Sequence, residues 1–299
     1  MSWWSDTRDR DGGGVLTLTI ARLTLREASR RRLVRAFLLL TTAAIALTGW
    51  GFAELSRISV QGQLVTAVEV RLVAAPLLIL VVFMFSFMLV LGAGFMAAPA
   101  LAGDVESGIA LAILARPIRR AELVLGRWLG IGALVAAYAV AASVVELAVV
   151  QVTTGYAPPS PAEAIGYLIA ESLVLLTLTL LLSARLSAMT AGIVGTISFA
   201  LAWIGGVIGG IGVAFGDESV AAVGTATRLL LPTDGLWRGA LFALEPGYMV
   251  AGASQAGPAL AAFPFFVPAG PEVAYLAWCA AWVAAMLRLT VLAFERREV

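Results

Sequence analysis

Between Asp104 and Arg127 the chain reads D-V-E-S-G-I-A-L-A-I-L-A-R-P-I-R-R-A-E-L-V-L-G-R, and no polar side chain interrupts it from Ile109 to Ala115. Asp104 and Glu106 precede this apolar run. Arg116, Arg119 and Arg120 follow it, so the charges match the dipole of a helix at both ends. Gly108 opens the run, Pro117 disfavours helix at Arg116 and stops it, and Glu122 lies just beyond. The pattern predicts a short helix of about three turns. A helix that short and apolar all round is unstable alone in water. It must bury Ile109 and Ile113 against its own bundle, the bilayer or another protein. The chemistry on offer is therefore mechanical, an apolar knob between fixed charges. An ordinary amphipathic loop helix is the plainer reading that composition also permits.

Two further acids, Glu146 and Glu171, stand inside long apolar runs. A carboxylate in lipid costs a few kcal/mol, so each must face protein or a wet cavity. They read either as a path that meets a cargo or a proton, or as a hydrogen-bonded structural pair near one mouth of the bundle. Consecutive antiparallel spans would let them approach. Asp217 and Glu218 follow a glycine but lack the GxGD form of intramembrane aspartyl proteases. Other chemistries are excluded by composition. The chain has no Lys, so no GxxxxGK[ST] phosphate loop exists and it cannot hydrolyse ATP in the usual way. It has no His, which removes HExxH zinc sites and Ser-His dyads. The single Cys279 allows neither an internal disulfide nor a thiolate metal cluster, and no metal site is expected.

The elements that must position these residues are membrane spans. Of 299 residues, 61% are hydrophobic and 13% charged, with mean hydropathy +0.95, against roughly 25% charged in a soluble domain. One core cannot hide such an excess. Six runs reach the roughly 20 residues a bilayer core requires, near 36–53, 72–96, 128–150, 165–184, 189–213 and 273–293. The predicted fold is all-α, a polytopic helical bundle with a cytoplasmic loop over 99–127 and an outer loop over 214–272. With both termini inside, sixteen arginines are cytoplasmic, and only Arg57, Arg71, Arg228 and Arg238 lie outside. The positive-inside rule favours that orientation in the cell membrane.

Residues 1–35 form a separate arm. Residues 1–14 read as a mobile tail, and 15–32 as an amphipathic helix with an apolar stripe of Leu18, Ala21, Leu25 and Ala28, lying among lipid headgroups. The glycines at 205, 206, 209, 210, 212 and 216 suit close helix approach, within a subunit or between two. The outer loop carries six prolines, which predict short surface or re-entrant helices. Its Trp237, Phe242, Tyr248, Phe263, Phe265 and Phe266 suit the membrane–water interface.

The run from Glu106 to Arg127, E-x-G-x(5)-L-x-R-P-I-x-R-x-E-L-x-L-G-R, resembles the cytoplasmic loop of type-2 ATP-binding-cassette export permeases, most similarly the nitrous-oxide-reductase maturation branch. The segment 25–32 resembles that family's opening helix, and Leu231 to Arg238 a stretch some members carry between spans five and six. Ile109 departs from a frequent Thr, and Arg127 from a frequent Lys. The resemblance implies that the apolar run includes a coupling helix resting on a separate cytoplasmic ATPase, which binds the ATP and Mg. Asp104, Glu106, Gly108, Ile109, Ile113, Arg116, Pro117, Arg119, Arg120 and Glu122 would then serve coupling, with no catalytic residue on this chain. It also implies a second permease copy, a homodimer by default. No nucleic-acid partner is expected. The apolar spans suit a hydrophobic or amphipathic cargo. An ion-gradient-driven secondary transporter and a non-transporting membrane scaffold remain as alternatives at this point.

Overall fold

A computed structural model of the protein describes residues 6–30, 32–55, 57, 59–60, 63–64, 66–108, 119–256 and 263–297. Ten helices lie among the described residues. They are α1 (Asp6–Ser29), α2 (Arg32–Leu55), α3 (Ala67–Glu106), α4 (Arg120–Thr154), α5 (Pro161–Ser183), α6 (Ala188–Phe215), α7 (Glu218–Leu230), α8 (Thr233–Leu244), α9 (Gly247–Ala256) and α10 (Val273–Glu295). A two-residue antiparallel pair, Ser59–Val60 with Gln63–Leu64, closes the turn between α2 and α3. Helices α2 to α6 and α10 are long and apolar enough to cross a membrane, and they contain all six predicted spans.

Two of these helices outrun their apolar segments. α3 continues from residue 96 to Glu106, and α4 begins at Arg120 rather than near 128. At a rise of 1.5 Å per residue each extension adds about 12–15 Å. The expected loop over 99–127 therefore shrinks to the residues between these two helix ends. The alternation of spans collects the start of α2, the ends of α3, α5 and α10, and the starts of α4 and α6 at one arginine-rich end.

The N-terminal arm differs from its expectation. Helix α1 already begins at Asp6, so residues 6–14 are helical rather than a tail. Its inward face is also rotated. Ala28 of the expected stripe is buried and Thr24 joins it, while Leu18 of that stripe is exposed. Gly126 and Gly130 of α4 set this choice, because a Cβ at either would strike Ile20 or the Ala21 carbonyl of α1. Small residues on α4 draw the backbone of α1 in, and packing overrides the stripe read from hydrophobicity.

The outer loop folds back into the bundle. Helix α7 packs antiparallel on α6 with no room for side chains between them. A Cβ at Gly209 would collide with the Gly224 backbone, and one at Gly212 with the Ala221 backbone. The glycine run thus serves contact inside one subunit. Gly216, at φ +71°, makes the left-handed turn between the two helices, and Asp217 caps α7 by accepting the Ser219 and Val220 N–H groups. That capping role accounts for the Gly-Asp-Glu sequence. α8 then returns along α5 with its face from Thr233 to Trp237 wholly buried. Trp237, expected at the interface, is 2% exposed and packs against Phe83 with ring centroids 5.3 Å apart; Phe266 is also buried. Beyond α8, Glu245 accepts the Val267 N–H. Burial pushes its carboxyl up to about 7, against the favourable effect of that bond.

A helix that ends inside the bundle leaves carbonyls without partners. Those of α7 are met by α10. Tyr275 donates to the Arg228 and Pro232 carbonyls, Trp278 to Leu229 and Trp282 to Leu230.

Candidate functional site

At the arginine-rich end, Ser107 closes α3 by donating its hydroxyl to the Gly103 carbonyl at 2.6 Å, and Gly108 turns the chain away at φ +73°. The segment predicted to dock, with Ile109, Ile113, Arg116 and Pro117, lies outside the described residues. The chain returns at Arg119, whose N–H donates to Glu122 Oε2 at 3.1 Å, so Glu122 caps the start of α4.

The two feet of this segment, on α3 and α4, are tied to four other helices. Asp104 and Glu106, predicted to start the short helix, instead form the last turn of α3. Acids there oppose the helix dipole, and each has a compensating partner. Asp104 takes both bonds from Arg127 Nη2, at 2.7 and 3.0 Å, and Arg127 Nη1 reaches Glu27 of α1 at 2.8 Å. Glu106 Oε1 accepts the Ala188 N–H at 3.0 Å, at the electropositive start of α6. Arg120 turns inward. Its Nη1 lies 2.6–3.0 Å from the carbonyls of Phe294, Glu295 and Arg297, where it neutralises the end of α10. Arg297 in turn donates to the Ser183 and Ala184 carbonyls that close α5. A force on the segment between Gly108 and Arg119 is thus passed to α1, α3, α4, α5, α6 and α10.

The Asp104–Arg127 pair is nearly dry, at 13% and 12% side-chain exposure. Arg127→Met should destabilise the bundle by about 3 kcal/mol by stranding a buried carboxylate, and adding Asp104→Leu should restore most of the loss. Thermal unfolding of the detergent-solubilised variants reads both. A double variant no more stable than Arg127→Met would show that the pair has no such role.

The two intramembrane acids occupy separate surroundings. Glu171 is 2% exposed and accepts from Ser86 Oγ at 2.8 Å, tying α5 to α3. Glu146 of α4 is hydrogen-bonded to Thr48 of α2 and faces a different cavity. Another buried acid was hidden from sequence reasoning. Asp234, 3% exposed, accepts from Arg228 Nε at 2.8 Å and Arg238 Nε at 3.1 Å, and Arg238 Nη2 also reaches the Gly206 carbonyl at 3.0 Å. Arg228 and Arg238 read as outer-loop charges, yet the return of α7 and α8 carries them inward. The i, i+4 spacing of Asp234 and Arg238 was the available signal. Among the described residues no cluster of acids and Cys279 has metal-site geometry.

Compared with known families, residues 18–299 match the one described as ABC-2 family transporter protein. No curated protein matches the chain.

Proposed function

The chain belongs to the ABC-2 transporter family, and on that premise we propose that it is the export permease of a pump whose ATPase is a separate cytoplasmic chain holding ATP and Mg. The permease itself is a multi-pass membrane subunit without catalytic residues. The observation that carries the reading is the anchoring of both feet of the 109–118 segment. An apolar knob on a floppy loop transmits nothing, whereas one clamped through Asp104, Glu106 and Arg120 moves six helices together.

On this reading the arginine-rich end is cytoplasmic, and Ile109, Ile113, Arg116 and Pro117 meet a groove of the ATPase. Arg119, Arg120 and Glu122 hold the return strand in register and need not touch the partner. Closure of two ATPase subunits pushes two permease copies, related as a homodimer, and the path between them alternates its opening. The cargo is hydrophobic or amphipathic, in keeping with the aliphatic and aromatic surface of the spans. The Glu106–Arg127 pattern supports placement in the branch that includes the nitrous-oxide-reductase maturation permease.

Purification of the chain with a Walker-A ATPase encoded beside it tests this reading. The complex should hydrolyse ATP in liposomes and the permease alone should not. Robust hydrolysis by the isolated polypeptide would overturn it.

A further inference from the structure

Helices α2, α3, α4 and α5 enclose a cavity of about 370 Å³, within the size range of small-molecule sites. Its walls are aliphatic and aromatic, with Leu168 and Leu244 buried in the bundle and Leu40, Leu47 and Met84 more than half exposed on the outer surface. The cavity therefore opens sideways between α2 and α3, towards lipid. Ser143 and Glu146 line it from successive turns of α4. They are 7% and 8% exposed, and neither Ser143 Oγ nor Glu146 Oε1 has a hydrogen-bond partner among the described residues. Buried polar oxygens are normally satisfied, and these two point to a ligand with donors.

We propose that this cavity binds an aliphatic amine, its chain among the apolar walls and its ammonium group on Glu146 Oε1 and Ser143 Oγ. The chemistry follows from what each alternative leaves unmet. A plain hydrocarbon satisfies neither oxygen. A fatty acid places a second carboxyl against Glu146. An alcohol has one donor and no charge to set against the acid, whereas an ammonium has three donors and also meets the acid's charge. Binding is a property of this chain alone and does not depend on the ATPase. The amine can belong to a single-chain cargo or to an aminolipid headgroup.

The test uses the full-length permease in phosphatidylcholine nanodiscs with a dodecylamine carrying a diazirine in its tail, and mass spectrometry of the crosslinked peptides. Labelling should fall on the segments 81–88 and 142–147. Dodecylamine should compete at least tenfold better than dodecanol, and dodecanoate not measurably. Glu146→Gln should erase the amine's advantage while leaving competition by dodecanol and the unfolding temperature unchanged. Should that variant misfold, Ser143→Ala should lower competition by the amine at least threefold. Added phosphatidylethanolamine that competes identifies a resident lipid as the source, and failure to compete identifies a single-chain cargo. Equal competition by amine and alcohol, or a labelling pattern indifferent to both substitutions, overturns the proposal.

Discussion

Asp234→Ala should destabilise the bundle by about 3 kcal/mol, because it strands two partly buried guanidinium groups, at 28% and 18% side-chain exposure, without their shared carboxylate. The asymmetry is the informative part. One carboxylate serves two arginines, so Arg228→Ala or Arg238→Ala leaves a one-to-one pair and should cost much less. Space sharpens the difference. Gly206 is glycine because Asp234 packs directly on it, so no larger acid can be accommodated and Asp234→Glu should behave nearly as badly as Asp234→Ala. The measurement is thermal unfolding in detergent, with the monodisperse fraction on gel filtration as a second reading. If Asp234→Ala costs no more than Arg238→Ala, the cluster does not hold the re-entrant pair in place.

Ile113→Asp should weaken ATPase capture roughly a hundredfold, about 3 kcal/mol, by setting an unpaired carboxylate where an apolar anchor belongs. On the docking reading the unfolding temperature should not move. Transport and cargo-stimulated hydrolysis should fall with capture. If the apolar run is instead buried on its own bundle, the opposite pattern appears, with a lower unfolding temperature and intact capture. The two readings of that run are thereby separated by one variant and two measurements.

The six spans were legible because lipid imposes a single demand, about 20 apolar residues in a row, which composition reveals directly. Their ends were less so. In 97–106 Pro99 and Gly103 argue against helix while Ala97, Ala98, Ala100, Leu101 and Ala102 favour it, and Arg127 and the start of α6 supply the partners that Asp104 and Glu106 need at its end. The face of α1 was misread for a similar reason, since the glycines that receive it lie a hundred residues downstream on α4. Asp234 escaped because its region scored as a proline-rich outer loop, and only the backbone contact of Gly209 with Gly224 shows how far α7 returns. Arg120 was read as a docking charge from its neighbours, whereas the carbonyls it serves sit at the far end of the chain. Local pattern located the elements, and the long-range partners were invisible to it.

The aromatic donors on α10 have a consequence for biogenesis. Tyr275, Trp278 and Trp282 satisfy the carbonyls at the tip of α7, and no bilayer lipid tail can substitute for them. They sit on α10, which leaves the ribosome after α7 and α8. The returning hairpin of α7 and α8 is thus short of partners until α10 has been synthesised. A chain truncated before Val273 would insert five spans and still be unfinished, with a polar helix end facing oil. Membrane quality control that recognises such exposed polarity would see every nascent copy of this permease as defective until α10 arrives.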